Sequence, residues 1–155
     1  MLRTPQFAAV SLLMIAACAS APDPAASWID FAALDSGRST NRALACAPDI
    51  CSGAISYSAA PEFSISAETL SGTILKLEPS AEQRVEANGD IHLRWVAVTP
   101  AFRFRDDVDV LLRPVGKQTT RMAVYSRSRI GLSDLGTNAR RIEDLIQKLR
   151  EETGA

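Results

Sequence analysis

The stretch of sequence that decides the fold is residues 102–130, FRFRDDVDVLLRPVGKQTTRMAVYSRSRI. Two runs in which apolar and polar residues largely alternate flank a break at 114–120, and such alternation is typical of paired strands with one buried face. In both runs the apolar side chains fall on even numbers: Phe102, Phe104, Val108, Val110 and Leu112, then Met122, Val124 and Ile130. We therefore expect an antiparallel hairpin whose even-numbered residues share a buried face.

A turn centred near residue 117 sets the register of this hairpin, because it determines which residues lie opposite each other. It pairs Asp107 with Arg127 and Arg105 with Arg129. The predicted outer, solvent-facing side then carries Arg103, Arg105, Asp107, Asp109, Tyr125, Arg127 and Arg129. The predicted inner side carries three polar residues among the apolar ones, namely Asp106, Ser126 and Ser128.

The inner position of Asp106 is the oddest feature of the hairpin, because a buried carboxylate needs hydrogen-bond or cationic partners. Ser128 lies across the ladder from it, and Asn138, Arg140 and Arg141 come at the start of the last predicted helix. A structural network that joins helix to sheet and a ligand pocket both account for this arrangement.

Two helices and two further strands are predicted around the hairpin. Ser66 is a typical N-cap before apolar residues at helical spacing, namely Ala67, Leu70, Ile74 and Leu77. Strands are predicted near 82–87 and 90–98, joined by a turn at Asn88-Gly89. The last helix has one apolar stripe, formed by Ile142, Leu145, Ile146 and Leu149.

This order of elements predicts an α+β fold: an antiparallel β-meander of about four strands, with an N-terminal-side helix and a C-terminal helix packed on one face. The opposite face is expected to meet solvent or a partner. A further short strand is predicted at Ala54–Tyr57. Residues 28–155 are expected to form one domain.

The first 27 residues have the pattern of a secretion signal and a tether. Residues 1–17 contain Arg3 and a short apolar run that ends Ile15-Ala16-Ala17 before Cys18. This resembles a lipoprotein signal peptide, after whose removal Cys18 carries the lipid. An ordinary signal peptide cleaved after Ala21 is the alternative. Residues 18–27, the lipidated cysteine and a run of small and Pro-rich residues, are predicted to be a flexible tether.

Cys46 and Cys51 are the two cysteines left in the domain. Outside the cytoplasm such a pair predicts a small disulfide loop. The redox motif needs a two-residue spacing that is missing here, and zinc would need two more ligands in a chain whose only histidine is His92. We expect no metal and no cofactor.

The C-terminal half resembles a known family. From Tyr125 the chain has the sequence YSRSRIGLSDLGTNARRIEDL, which resembles the signature of DUF1499, a bacterial and plastid family of unknown function. The matching residues are Ser126, Arg127, Ser128, Arg129, Ile130 and Gly131, then Ser133, Asp134, Leu135, Gly136, Asn138 and Arg141. Upstream matches are Asp30–Leu34, Asn41, Leu44, Cys46, Phe104, Asp106 and Asp107. The resemblance supports a shared fold over roughly 28–152 and implies no activity.

The composition and motifs favour binding over catalysis. A net charge of −1 excludes the basic surface of a nucleic-acid binder, and no apolar run reaches the roughly 18 residues of a membrane-spanning helix. No Gly-x-Ser-x-Gly elbow is present, and Asp106 and Asp107 are adjacent on a strand, so their side chains point to opposite faces. An enzyme is therefore the less favoured class.

We expect a non-catalytic binding or scaffold lipoprotein of the bacterial cell envelope, held on the periplasmic side by lipid on Cys18. Its partner is an envelope protein or a small anionic ligand, and not nucleic acid. The alternative is a small anionic-ligand-binding protein or an enzyme that uses Asp106, Arg127, Arg129 and Arg141. The candidate ligand-binding or structural polar network comprises Asp106, Asp107, Ser126, Arg127, Ser128, Arg129, Asp134, Asn138 and Arg141.

Replacing the candidate lipidation site tests the anchor. Cys18→Ala is expected to abolish membrane association, because no other segment of the domain has the length and hydropathy of an anchor. Radiolabelled palmitate should enter the wild-type chain and not the variant. Labelling that persists in Cys18→Ala would exclude lipidation at this residue.

Overall fold

The computed structural model describes residues 28–34, 40–47, 49–51, 61–100 and 102–154. In these ranges the elements are β1 (Arg42–Ala45), β2 (Glu62–Phe63), α1 (Ala67–Leu77), β3 (Glu82–Val85), β4 (Ile91–Val98), β5 (Arg105–Gly116), β6 (Thr119–Ser128) and α2 (Thr137–Thr153). The predicted signal peptide, Cys18, the tether and the predicted strand Ala54–Tyr57 lie outside the described residues.

The strands form one antiparallel sheet in the order β1-β6-β5-β4-β3, and β2 also pairs with β6. The α+β class is therefore confirmed, but the sheet has six strands where about four were predicted. The two missed strands are four and two residues long, too short to show an alternating pattern. Both lie along β6, so the C-terminal strand of the hairpin is covered on its open edge.

The hairpin register is the predicted one. Asp107 pairs with Arg127, and Asp106 pairs with Ser128. Beyond the last pair, the Arg129 amide donates to the Arg105 carbonyl at 3.2 Å. β5 continues past Pro114 to an irregularity before Gly116, so the predicted break at 114–120 is in fact a shorter turn.

α1 begins after the predicted cap residue and ends before Pro79, as its sequence indicates. The Ser66 hydroxyl accepts from the Thr69 amide at 3.3 Å and caps α1. α2 buries its predicted apolar stripe and ends at Gly154, which has a positive φ. Side chains of both helices share one large core cluster with the sheet. We call this side of the sheet, with odd-numbered β4 residues and even-numbered β5 and β6 residues, the helix face.

The opposite side of the sheet, which we call the second face, is not the solvent-exposed surface that was expected. A second apolar cluster covers it, built from Phe31, Leu44, Cys46, Ala47, Ile50, Cys51, Leu111, Ala123 and Tyr125. Asp107 and Asp109 are buried there, at 4% and 3% exposure, and so is Tyr125. The prediction of an exposed outer face was wrong for these three residues because the segment before β2 folds over the sheet.

Aromatic and charged contacts fasten the start of this covering segment. The Trp28 ring meets the buried His92 ring edge-on at 4.7 Å between centroids, and the guanidinium carbons of Arg84 and Arg94 lie 4.6 and 5.3 Å from the Trp28 centroid. His92 Nε2 is 3.2 Å from Asp109 Oδ1. Cation–π contacts of this kind are most favourable where the cation is partly desolvated. His92 therefore belongs to the packing of the second face.

A charged contact fastens the other end of the covering segment. Arg113 donates to the Asp49 carbonyl at 2.6 Å and to Asp90 Oδ2 at 2.7 Å. The hydrogen bonds that Arg113 donates to Asp90 raise the pKa of the Arg113 guanidinium, although burial opposes the change. Cys46 and Cys51, which flank Asp49 in the sequence, are bonded as a disulfide with their Cα atoms 6.1 Å apart.

Reduction of the Cys46–Cys51 disulfide is expected to lower the free energy of unfolding by about 2–3 kcal/mol, because the short closed loop restricts the unfolded chain. Urea midpoints with and without reductant measure this difference. Alkylation of native envelopes without reductant should leave both thiols unmodified in mass spectra, and finding both alkylated would contradict the disulfide.

Candidate functional site

A buried polar network joins β5, β6 and α2 on the helix face. Arg141 Nη2 donates to Asp106 Oδ2 at 2.6 Å, and its Nη1 donates to Asn138 Oδ1 at 2.7 Å and to Ser126 Oγ at 2.9 Å. Asp106 is only 1% exposed, and Ser126 and Asn138 are fully buried. Of the partners that the sequence suggested for Asp106, Arg141 makes the contact.

Asn138 extends this network to the start of α2. Its Nδ2 donates to Ser128 Oγ at 3.0 Å and to Asp134 Oδ2 at 2.6 Å. Asp134 Oδ2 also accepts from the Asn138 amide at 2.8 Å, which satisfies a backbone donor that the first helical turn leaves free. Arg140, by contrast, turns to the Leu135 carbonyl at 3.3 Å.

A separate cluster lies on the second face. Asp107 Oδ1 accepts from Arg129 Nη2 at 2.6 Å, and Asp107 Oδ2 accepts from Arg127 Nε at 3.3 Å. The structure thus divides the predicted polar residues between two sides of the sheet. Asp106 and Arg141 do not share a site with Arg127 and Arg129, because adjacent strand positions point to opposite faces.

One atom of the helix-face network is unsatisfied. Asp106 Oδ1 is buried and has no hydrogen-bond partner among the described residues. Buried polar atoms nearly always have a partner, and an unpaired one costs about 1–3 kcal/mol, more for a charged group. Asp106 Oδ1 therefore carries an unfavourable free-energy term that a hydrogen-bond donor from outside the chain would relieve.

A groove of about 740 Å³ lies over Asp106. Its lining includes Asp106, Ser128 and Arg141 together with Trp95 and Ala97 of β4 and Leu145 of α2. The end of β4 and two loops at one end of the sheet add apolar side chains that remain exposed to solvent: Val98 from β4, and Phe102, Phe104, Ile130 and Leu135 from the loops. The volume is typical of a small-molecule pocket, and such pockets combine apolar walls with a few polar groups.

The exposed positions of Phe102, Phe104 and Ile130 correct the sequence prediction, which placed them in the buried face of the hairpin. β5 begins only at Arg105 and β6 ends at Ser128, so these three residues lie in loops, and Phe102 is 75% exposed. The Phe102 and Phe104 rings stack on each other with centroids 5.5 Å apart. Their hydrophobicity was visible in the sequence, but its alternation suggested a strand.

Hydrogen bonds hold both loops in defined conformations. In the first, Thr99 Oγ1 accepts from the Phe104 amide at 2.9 Å. In the second, Asn41 Nδ2 donates to the Gly131 carbonyl at 2.9 Å, and the Thr40 hydroxyl donates to the Leu132 carbonyl. The groove mouth is thus built by fixed turns.

Each loop also contains one residue in the left-handed backbone region. Arg103 has φ 53° and Leu135 has φ 52°, and they are the only non-glycine residues with positive φ in the described part of the chain. This backbone conformation is unfavourable for residues other than Gly, Asn and Asp. Backbone strain of this kind clusters at functional sites.

Charged side chains form the rim of the groove nearest the helices. Burial raises the pKa of Glu78 above its ordinary value, while the nearby Lys148 and Arg141 act in the opposite direction. Glu78, Asp144, Arg140 and Lys148 all line the groove. The rim therefore carries both signs of charge over an apolar interior.

Within the described ranges, no group of three or more His, Cys, Asp or Glu side chains is placed to hold a metal ion. Neither described helix is long and apolar enough to cross a membrane. The groove and its network are the chemical features that the sequence analysis only half identified, since it found Asp106 but not the walls around it.

Fold and network together define a small α+β domain with an antiparallel sheet, two helices and a groove at one end. Residues 16–149 match the family described as "Protein of unknown function (DUF1499)", and the chain belongs to this family. No curated protein and no solved structure matches the chain.

Removing either buried aspartate is expected to destabilise the domain, but to different extents. Asp106→Ala leaves the largely buried Arg141 without its carboxylate, which should lower the free energy of unfolding by roughly 3–5 kcal/mol. Asp107→Ala should lower it by roughly 1.5–3 kcal/mol, because water reaches the half-exposed Arg127. Urea unfolding measures both.

Glu151→Ala is the matched control for these variants, because Glu151 is exposed on α2 and its loss should change stability by no more than about 0.5 kcal/mol. An Asp106→Ala domain as stable as this control would contradict the buried ion pair.

Proposed function

We propose that this chain is a non-catalytic binding protein of the bacterial envelope, held on the periplasmic side of a membrane by lipid on Cys18, and that its groove binds an apolar ligand. The observation that carries the binding proposal is the groove itself. It opens to solvent through large apolar side chains, and it is lined by Asp106, whose buried Oδ1 has no partner in the part of the chain that the structure describes.

The exposure of the groove mouth supports a binding role. Phe102 and Leu135 are 75% and 85% exposed although both are large and apolar. Contiguous apolar surface of this kind is unfavourable in water and marks binding sites in soluble domains. Both residues lie in loops that contain a non-glycine residue with positive φ, Arg103 in the first and Leu135 itself in the second.

The arrangement of the arginines favours an apolar ligand over an anion. Arg129 uses Nε and Nη2 on Asp107. Arg141 uses Nη1 and Nη2 on Asp106 and its neighbours. Guanidinium groups recognise anions through paired N–H donors, and here protein acceptors occupy those donors. The anionic-ligand alternative is therefore the weaker one.

A neutral apolar dye tests the groove directly. Nile red should bind the wild-type protein, and the double variant Phe102→Ser/Leu135→Ser should weaken binding several-fold to about tenfold, because each lost side chain removes apolar contact area. Fluorescence titration gives the two dissociation constants.

Leu132→Ser is the matched control, because Leu132 is 93% exposed in the same loop as Leu135 but does not line the groove. Its dissociation constant should equal that of the wild type. Equal affinities for the control and the double variant would place the dye elsewhere and count against the proposed function.

A further inference from the structure

We infer that the groove selects a neutral amphiphile, an apolar chain that bears a hydroxyl or an amide N–H, and that Asp106 Oδ1 is the acceptor that recognises this donor. The inference rests on the proposed binding function of the groove and adds the chemical class of the ligand.

The first step is the state of the Asp106 carboxylate. Oδ2 accepts from Arg141 at 2.6 Å, whereas Oδ1 has no partner among the described residues. The residue is 1% exposed and lines the groove. A ligand that donates a hydrogen bond to Oδ1 removes the penalty of a buried unpaired acceptor. A purely apolar ligand leaves that penalty in place.

The second step is the charge of the donor. Asp106 and Arg141 form an ion pair, so the floor of the groove has no net charge to compensate. A cationic ligand would bring an unbalanced charge between Trp95, Ala97 and Leu145. A carboxylate or phosphate would meet the lone pairs of Oδ1. Burial of an uncompensated charge is far more costly than burial of a hydrogen-bonded neutral group, so a neutral donor fits best.

The third step is the size of the ligand. The acceptor lies at the base of a groove of about 740 Å³, within the range of pockets that enclose a single small molecule. The apolar side chains run from Trp95 at the base to Phe102 and Leu135 at the mouth. A ligand whose apolar chain lies along these walls and whose donor reaches Asp106 contacts the apolar side chains and hydrogen-bonds the carboxylate at the same time.

Four probes with the same ten-carbon chain separate the alternatives: 1-decanol, its methyl ether, decylammonium and decanoate. The protein is the full chain with Cys18→Ala, so that no attached lipid competes for the groove. Trp28→Phe leaves Trp95, the second of two tryptophans in the chain, as a fluorescent reporter inside the groove.

Decanol is expected to bind about tenfold or more tightly than its methyl ether, because the ether accepts but does not donate. Decylammonium and decanoate should bind more weakly than decanol. Asp106→Asn should remove the preference for alcohol over ether, since its amide can present N–H groups where the carboxylate presents lone pairs. Asp107→Asn, on the second face, should keep the preference.

The outcomes distinguish the inference from the function on which it rests. Equal binding of alcohol and ether by the wild-type groove would overturn the donor inference and leave the proposed function standing. If decylammonium or decanoate binds most tightly of the four probes, the inference that the ligand is neutral is overturned. Binding of none of the four would count against the proposed function itself. If Asp106→Asn fails to fold, the ratio of the affinities for decanol and its methyl ether, measured on the protein that keeps Asp106, still tests the inference.

Discussion

The pairing of β5 with β6 in a single register determines what every other part of the domain contacts. Asp106 lies opposite Ser128 and Asp107 opposite Arg127, so two adjacent carboxylates face opposite sides of the sheet. One side receives both helices and the other receives the segment around the disulfide. A shift of one residue would exchange these sides and bury the wrong set of side chains.

The ion pair between Asp106 of β5 and Arg141 of α2 joins the sheet to the helix. The two charges meet in only one arrangement of these elements. Buried ion pairs are often no more stabilising than apolar residues of the same volume, because both charges lose their hydration. Here the pair also leaves one carboxylate oxygen without a partner among the described residues, at a residue that lines an apolar groove. The proposed ligand would complete this arrangement by donating a hydrogen bond to that oxygen.

Much of the fold was predictable because it follows from local patterns. The Ser66 cap, the apolar stripe of α2, the hairpin register and the inner position of Asp106 all depend on residues close in sequence. β1 was not predictable, since its four residues pair with a strand some 80 positions later. The burial of Asp107 and Asp109 depends on the same distant segment. The groove was missed because Phe102 and Phe104 extend the alternating pattern before β5 begins, and Ile130 extends it after β6 has ended.

The contacts of Trp28 place the start of the described chain on the side of the sheet away from the groove. Trp28 lies against His92, Arg84 and Arg94 on the second face, whereas the groove belongs to the helix face. If Cys18 carries lipid, as proposed, residues 18–27 reach at most about 36 Å, ten residues at about 3.6 Å each. Under that proposal the lipid would hold the domain within this distance of the bilayer. A ligand released from the membrane would then meet the proposed binding site at high local concentration, as linked binding partners do.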